Sequence, residues 1–366
     1  MSSFVSSVAL PSPLQRQFDA FPPATPVPKI LSCDRSDTAT VDETVQWVIA
    51  NQDEITENLR THGAVLFRGF PLRTAVDFDR FVSAFRGYVD FPYEESLSYA
   101  VRLKVEGTSR VCTANEGKNG GLVFHHEQAQ APFYPSRLFF YCLARDMSQP
   151  GGATAICPSA EVFRRVNAKY PDFIRKLRQH GVQYTAVLQQ HPDGGENGVG
   201  RGWDNFFGCW CDNKAEVEAR MTELGYTWEW LAGEAAEKVN QLKLVTPVLQ
   251  AVREVPGKDG EWVFFNQLGA TFANAAEFAR ATGGDPDVDQ YVKSGDGSSL
   301  PRDAMEYALK QCEDTAVEVE WQQGDVALLD NFQVMHARRP FEGKGRKVLV
   351  SLTKSDELLK KPVSKL

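Results

Sequence analysis

Two histidines and a glutamate stand together in "VFHHEQAQ", residues 123–130, although the chain of 366 residues has only six histidines. Read as a strand, the stretch alternates sides, so His125 and Glu127 share one face and His126 takes the other. A nitrogen and a carboxylate oxygen offered from one face to one ion make two parts of a 2-His-1-carboxylate facial triad, the donor set of non-haem iron centres. The third ligand must come from elsewhere. His336 in "DNFQVMHARRPF" is the best candidate, since it follows the apolar strand pattern "DVALLDN" and precedes Arg338 and Arg339, which should hold it at the mouth of a sheet. His62 and His180 each precede a glycine at a helix end, where a histidine serves the helix dipole, and His191 sits in the turn "QHPDGG".

The elements that must position these residues can be traced along the chain. Residues 1–40 are rich in Pro and Ser and read as an extended arm without a core of its own. Thr40 opens a helix through the capping box "TVDE", which should stop near Gly63. "GAVLFRGF" reads as a buried strand and "TAVDFDRFVSAFRG" as a second amphipathic helix. "RLFFYCL" and "GATAIC" continue the strand pattern, the stretch from about 159 to 242 reads as a helical insert, and strands return in "KLVTPVLQAVREV", "EWVFFNQL", "AVEVEW", "DVALLDN" and "RKVLVSLTK" around a helix in "PRDAMEYALKQC". No mid-chain linker or repeat appears, so residues 41–356 read as one β-sheet domain decorated by helices, followed by a tail over 357–366.

Composition narrows the class. With 42% hydrophobic and 24% charged residues the chain has the balance of a globular protein, and its apolar runs are too short to cross a bilayer. A net charge of −8 without a basic stripe speaks against nucleic acid as a partner. Seven cysteines without framework spacing point to a reducing compartment, and the pair Cys209 and Cys211 lacks a second pair to complete a zinc site.

Three motifs in order resemble the iron(II)- and 2-oxoglutarate-dependent dioxygenases of the taurine dioxygenase (TauD/TfdA) family, especially the clavaminate-synthase-like branch. "HHE" looks like the family's H-x-D/E, "PGGATAI" is similar to its G-G-x-T strand, and "LLDNFQVMHARRPF" looks like the segment with the distal histidine. The resemblance runs from "GAVLFRGF" to "RKVLVSL" and implies a mainly β double-stranded β-helix, or jelly roll of cupin type. It implies Fe(II) held by His125, Glu127 and His336, with Thr154 and an arginine beyond the distal histidine binding 2-oxoglutarate. Such a triad leaves room on octahedral iron for a bidentate 2-oxo acid and O₂, which fits oxidative decarboxylation to succinate and CO₂ with hydroxylation or desaturation of a substrate.

For the clamp, "GKGRKVLVSL" offers Arg346 and, one residue on, Lys347. Arg346 is preferred for its planar fork, with Lys347 open as a weaker clamp. Sulfonate-oxidising members carry a further arginine four residues past the clamp, where this chain has Val350 or Ser351, and family halogenases lack the ligand carboxylate that Glu127 supplies here. These departures speak against a sulfonate substrate and against halogenation, and the resemblance to the clavaminate-synthase-like branch implies a small polar substrate, amino-acid-like or carboxylate. Arg201, Trp203, Asn115 and Asn266 are candidate pocket residues. The alternatives are a non-catalytic β-helix that binds metal or a small acid, and a zinc hydrolase on the same triad.

The sequence ends in Ser364, Lys365 and Leu366, a tripeptide read by the peroxisomal import receptor when it stands at a free C-terminus. Deleting these three residues from a protein tagged at its N-terminus is expected to move it from peroxisomes to cytosol without loss of activity. Absence of peroxisomal signal from the undeleted chain, by fluorescence microscopy, would end this reading.

Overall fold

The computed structural model describes residues 4–8, 14–91, 96–98, 100, 102–114, 120–146, 148–190, 201–207, 213–231, 241–283, 287–342 and 345–355. Asn115, His191, Cys209, Cys211 and the terminal Ser364, Lys365 and Leu366 lie outside them.

Two sheets pack face to face. The larger has the strand order Val5–Ser7, Lys29–Cys33, Ala64–Arg68, Val326–Asp330, Arg137–Arg145, Arg346–Ser355 and Tyr88–Asp90, with Cys112–Thr113 also paired to Arg346–Ser355. The smaller has the order Val317–Val319, Thr154–Pro158, Val334–Arg338 and Leu122–His125, all antiparallel. This is the jelly-roll arrangement expected from the sequence. Leu138, Phe140, Ile156, Val319, Trp321, Leu329, Val334, Val348 and Val350 fill the space between the sheets. The larger sheet also buries its outer face, placing Val65, Phe67, Phe139, Tyr141 and Leu328 against helices Val41–His62 and Ala75–Ser83. Burial on both faces explains why "GAVLF" and "RLFFYCL" are continuously apolar rather than alternating.

Local signals are met where the sequence carries them. Thr40 accepts from the Glu43 backbone N–H, the Glu43 carboxylate accepts from the Thr40 N–H, and Gly63 ends the helix at φ 72°. Thr74 and Asp77 form a second capping box.

Two expectations are corrected and one unassigned stretch is resolved. The N-terminal segment is not a free arm: Lys29–Cys33 pairs in parallel with Ala64–Arg68, Val5–Ser7 extends the sheet, and Phe18, Phe21, Val27 and Ile30 are buried in the core between the sheets. Its prolines masked four large apolar residues that had somewhere to go. The stretch from 159 to 242 is not purely helical. Besides helices Ser159–Lys169, Pro171–His180 and Lys214–Leu224, it holds the antiparallel strands Val182–Leu188, Thr227–Leu231 and Gln241–Val245, with Val292–Ser294 added at the edge. "VQYTAVL" buries Val182, Tyr184 and Leu188, a period of two that the neighbouring helical pattern obscured. Finally, "LGATFANAAEFARAT", unassigned from the sequence, is a helix spanning Leu268–Thr282 that packs against Leu122–His125.

Because the N-terminal segment supplies core, removing residues 1–33 should cost far more than trimming a tail. Each buried large apolar side chain is worth roughly 1.5–3 kcal/mol, so losing Phe18, Phe21, Val27 and Ile30 should lower the urea midpoint sharply or leave the chain insoluble. An unchanged midpoint would contradict the packing described.

Candidate active site

The inner face of the smaller sheet brings the chemistry together. Phe124, Ala155, Cys157, Met335 and Ala337 point outward into the helix-covered cluster, so alternation turns His125, Thr154, His336 and Arg338 inward. His336 and His125 are direct cross-strand partners, with ring centroids 4.4 Å apart. The strand ends at His125, however, and does not run on to Glu127 as the sequence suggests. Glu127 is delivered by the following turn, where Asn331 holds its backbone on both sides. The Asn331 Oδ1 accepts from the Glu127 N–H at 2.8 Å, and its Nδ2 donates to the Glu127 carbonyl at 3.0 Å and to Pro135 at 2.8 Å.

One donor atom each from His125, Glu127 and His336 lies within 4.8 Å of the others. The His125 Nδ1 sits 2.7 Å from the Val123 carbonyl and must carry the proton, which leaves Nε2 as a lone-pair donor. The His336 Nε2 is 3.7 Å from the Glu127 Oε2. Burial, then nearby His125 and Arg102, holds the His336 imidazole well below its ordinary pKa and thus neutral. The Glu127 Oε1 takes a 2.9 Å salt bridge from Arg102, with both side chains under a tenth exposed. Two imidazoles and a carboxylate at this spacing fit a divalent cation of the iron(II) type.

His126 has a different job. Its Nδ1 donates to the Asn331 carbonyl at 2.6 Å and its Nε2 accepts from the Ser159 hydroxyl at 2.7 Å. Fully buried, it is pushed down to a pKa of about 3, chiefly by desolvation. His62 is likewise structural, with its Nδ1 2.6 Å from the Pro26 carbonyl and its pKa lowered by burial.

A cavity of about 300 Å³ opens over the cluster, and Thr154, Arg346, Arg338, Arg102, Gln128 and Gln130 are among its walls. Thr154 accepts from the Trp321 indole N–H at 3.0 Å. Of the two clamp candidates, Arg346 is buried in the wall while Lys347 is exposed. The Arg346 Nε donates to the Gly152 carbonyl at 2.8 Å. A Cβ on Gly152 would lie 2.7 Å from the Arg346 Cδ, so the second glycine of "PGGATAI" is what lets the guanidinium lie against the strand.

Other expectations change. His336 is itself buried and Arg338 is buried with it, donating to the Gly120 carbonyl at 2.5 Å, so Arg338 does not mark a solvated mouth. Only Arg339 behaves that way, pairing with Glu313 and Glu318. Arg201, Trp203 and Asn266 are not in the cavity wall. Arg201 holds the carbonyls of Ser96 and Asn205, Trp203 packs in a separate core, and Asn266 bonds the Ala251 carbonyl and the Leu268 N–H. Arg102, Asn331 and helix Leu268–Thr282, which brings Ala270, Asn274 and Glu277 to the cavity, were missed. Asn331 was visible as a turn residue next to the distal histidine motif. Arg102 carries no spacing signal at all.

This is a jelly roll with a His-Glu-His metal-binding geometry and a buried arginine on the walls of one cavity, the arrangement of a non-haem iron oxygenase. The taurine catabolism dioxygenase TauD, TfdA family profile matches residues 34–353. A clavaminate synthase-like protein of Arabidopsis thaliana is 37% identical over 297 residues, covering 81% of this chain and 83% of that relative. The dapdiamide synthesis protein DdaC of Enterobacter agglomerans is 26% identical over 306 residues, covering 81% and 84%. A crystal structure of a taurine dioxygenase from Burkholderia xenovorans aligns over 96% of this chain and 89% of its own at a TM-score of 0.48 and 14% identity. The chain belongs to the TauD/TfdA family and is a 2-oxoglutarate-dependent non-haem iron dioxygenase, using Fe(II), 2-oxoglutarate and O₂.

Proposed function

We propose that His125, Glu127 and His336 hold the iron, that Arg346 and Thr154 bind 2-oxoglutarate, and that the enzyme hydroxylates a small polar, amino-acid-like molecule. The observation that carries this reading is the placing of a complete ligand set and a buried arginine on the walls of one cavity. When bound, iron(II) and O₂ supply the oxidative decarboxylation of 2-oxoglutarate to succinate and CO₂, with one oxygen atom going to succinate and the other to the substrate.

The chain's own residues supply the rest. Arg346 presents a planar fork to the distal carboxylate of the cosubstrate, and its position is held by the Gly152 carbonyl and by the ring of Phe341, 5.4 Å away. Thr154 is fixed by Trp321 and adds a hydroxyl on the same wall. Phe140 and Val348 close the floor with apolar surface, which keeps water from the reacting atoms. The absence of a second arginine past the clamp, where Val350 is buried in the core, speaks against a sulfonate. The relatives' names point to small-molecule metabolism, one of them to dapdiamide synthesis, which supports an amino-acid-like substrate.

Metal analysis of folded variants tests the ligand set. His125→Ala should lose iron, whereas His126→Ala should bind it normally but unfold more easily, because it strands the Ser159 hydroxyl and the Asn331 carbonyl. Equal iron loss in both would refute the assignment.

The clamp is tested by the 2-oxoglutarate requirement. Charge-assisted hydrogen bonds contribute roughly 1.5–3 kcal/mol, so Arg346→Ala should raise the requirement by about one to two orders of magnitude with iron binding retained. Gly152→Ala should act in the same direction by displacing Arg346. Lys347→Ala, on an exposed side chain, should do little, and a defect there with Arg346→Ala silent would reverse the assignment.

A further inference from the structure

The roles assigned so far leave Gln128 without one. It follows Glu127 directly and adopts φ 57°, a left-handed conformation that is unfavourable for a residue with a Cβ and tends to persist where function requires it. Its carbonyl accepts from the Ala131 N–H at 3.0 Å, and the carbonyl before it is fixed by Asn331, so the turn is held from both sides. The result places the side chain in the cavity wall, 1% exposed.

Neither the Nε2 nor the Oε1 of Gln128 has a hydrogen-bond partner among the described residues. Exchanging the two atoms changes nothing, because both ends are unpaired. A buried amide in that condition is costly unless something else completes it. Gln130 lines the same cavity, and its Oε1 is buried and unpaired as well. The guanidiniums nearby are engaged, Arg102 with Glu127, Arg338 with the Gly120 carbonyl and Arg346 with that of Gly152.

We propose that Gln128, with Gln130, is the substrate-recognition site and that the group it recognises is a primary carboxamide. As their amides are assigned, the unpaired buried atoms of the two glutamines are one NH₂ donor and two carbonyl acceptors. A primary carboxamide offers two N–H donors and one carbonyl oxygen, which completes all three. An ammonium has donors only and leaves the Gln128 Nε2 unpaired. A carboxylate has acceptors only, leaves both Oε1 atoms unpaired, and places a negative charge close to Glu127. Sites built to hydrogen-bond a particular group reject analogues that leave their own polar atoms unpaired. Adjacency to Glu127 puts the bound carboxamide beside the ligand cluster, where a C–H bond of the same molecule can be presented for hydroxylation. This rests on the dioxygenase reading of the same cavity.

The test uses the full chain loaded with Fe(II) and 2-oxoglutarate. Calorimetry without oxygen measures binding of matched sets: butyramide, butyrate and butylamine, and L-glutamine with L-glutamate. Succinate release is then followed in air. In at least one set the carboxamide should bind about tenfold or more tighter than its acid or amine and stimulate succinate release. In Gln128→Leu that preference should fall to about unity. Because the preference is a ratio within one protein, a general loss of folding moves both terms together, whereas loss of a direct contact moves the carboxamide alone. No carboxamide preference in the wild type, or a preference that survives in Gln128→Leu, would overturn the inference. Slow Fe(II)-dependent conversion of 2-oxoglutarate to succinate without any of these compounds reports separately on the dioxygenase reading. If it occurs and the preference does not, only the carboxamide assignment falls; if it fails as well, the reading of the cavity falls with it.

Discussion

A buried carboxylate that must stay charged is the constraint on which the rest of the structure depends. Glu127 is 4% exposed, and an isolated charge at that depth would be neutralised or expelled. Arg102 compensates it with a direct salt bridge, and the imidazoles of His125 and His336 flank it. Its position is set through the backbone rather than the side chain. Asn331, from the turn that joins strands Val326–Asp330 and Val334–Arg338, ties down the Glu127 peptide on both sides. The second of those strands carries His336, so one asparagine couples the turn bearing the carboxylate to the strand bearing the distal histidine. His126 reinforces the link from the other side of the chain through the Asn331 carbonyl.

Rigidity of this kind is possible because both sheets are covered. Helices Val41–His62 and Ala75–Ser83 close one outer face, and Ser159–Lys169, Leu268–Thr282 and Arg302–Asp314 close the other. The strands therefore cannot slip by one residue without turning an apolar row into a polar cavity and a polar row into a packed core. At the cavity the inner row becomes polar, with His125, Thr154, His336, Arg338 and Arg346 all at its walls. Glycine matters where the backbone comes closest. Gly152 at φ 71° leaves the space that the Arg346 stem occupies.

Much of the site was legible in the sequence. His125 and the distal histidine after an apolar strand follow from local alternation, which a strand imposes whatever surrounds it, whereas Thr154 in "PGGATAI" is implied by the family resemblance and Glu127 reaches the cluster from a turn. The capping boxes at Thr40 and the helix end at Gly63 are equally local. The choice of Arg346 over Lys347 is a question of which side of a strand faces inward, and a bulged pairing between Arg346–Ser355 and Arg137–Arg145 made it undecidable from spacing alone.

What the sequence by itself determined is the chemistry: which residue types can hold iron and a dicarboxylate, and that the two histidines, Thr154 and Arg346 sit on strands of a β domain. What only the tertiary structure decided is partnership. Arg102 finds Glu127 across 25 residues, Asn331 across 204, and Trp321 reaches Thr154 across 167. The N-terminal segment joins the sheet through a parallel pairing that no hairpin signal announces. The unpaired amide of Gln128 is of the same kind, since a glutamine in a sequence gives no sign of whether its partners are present. Hydrogen-bond satisfaction and burial are properties of everything packed around a group, so they exist only once the chain has folded.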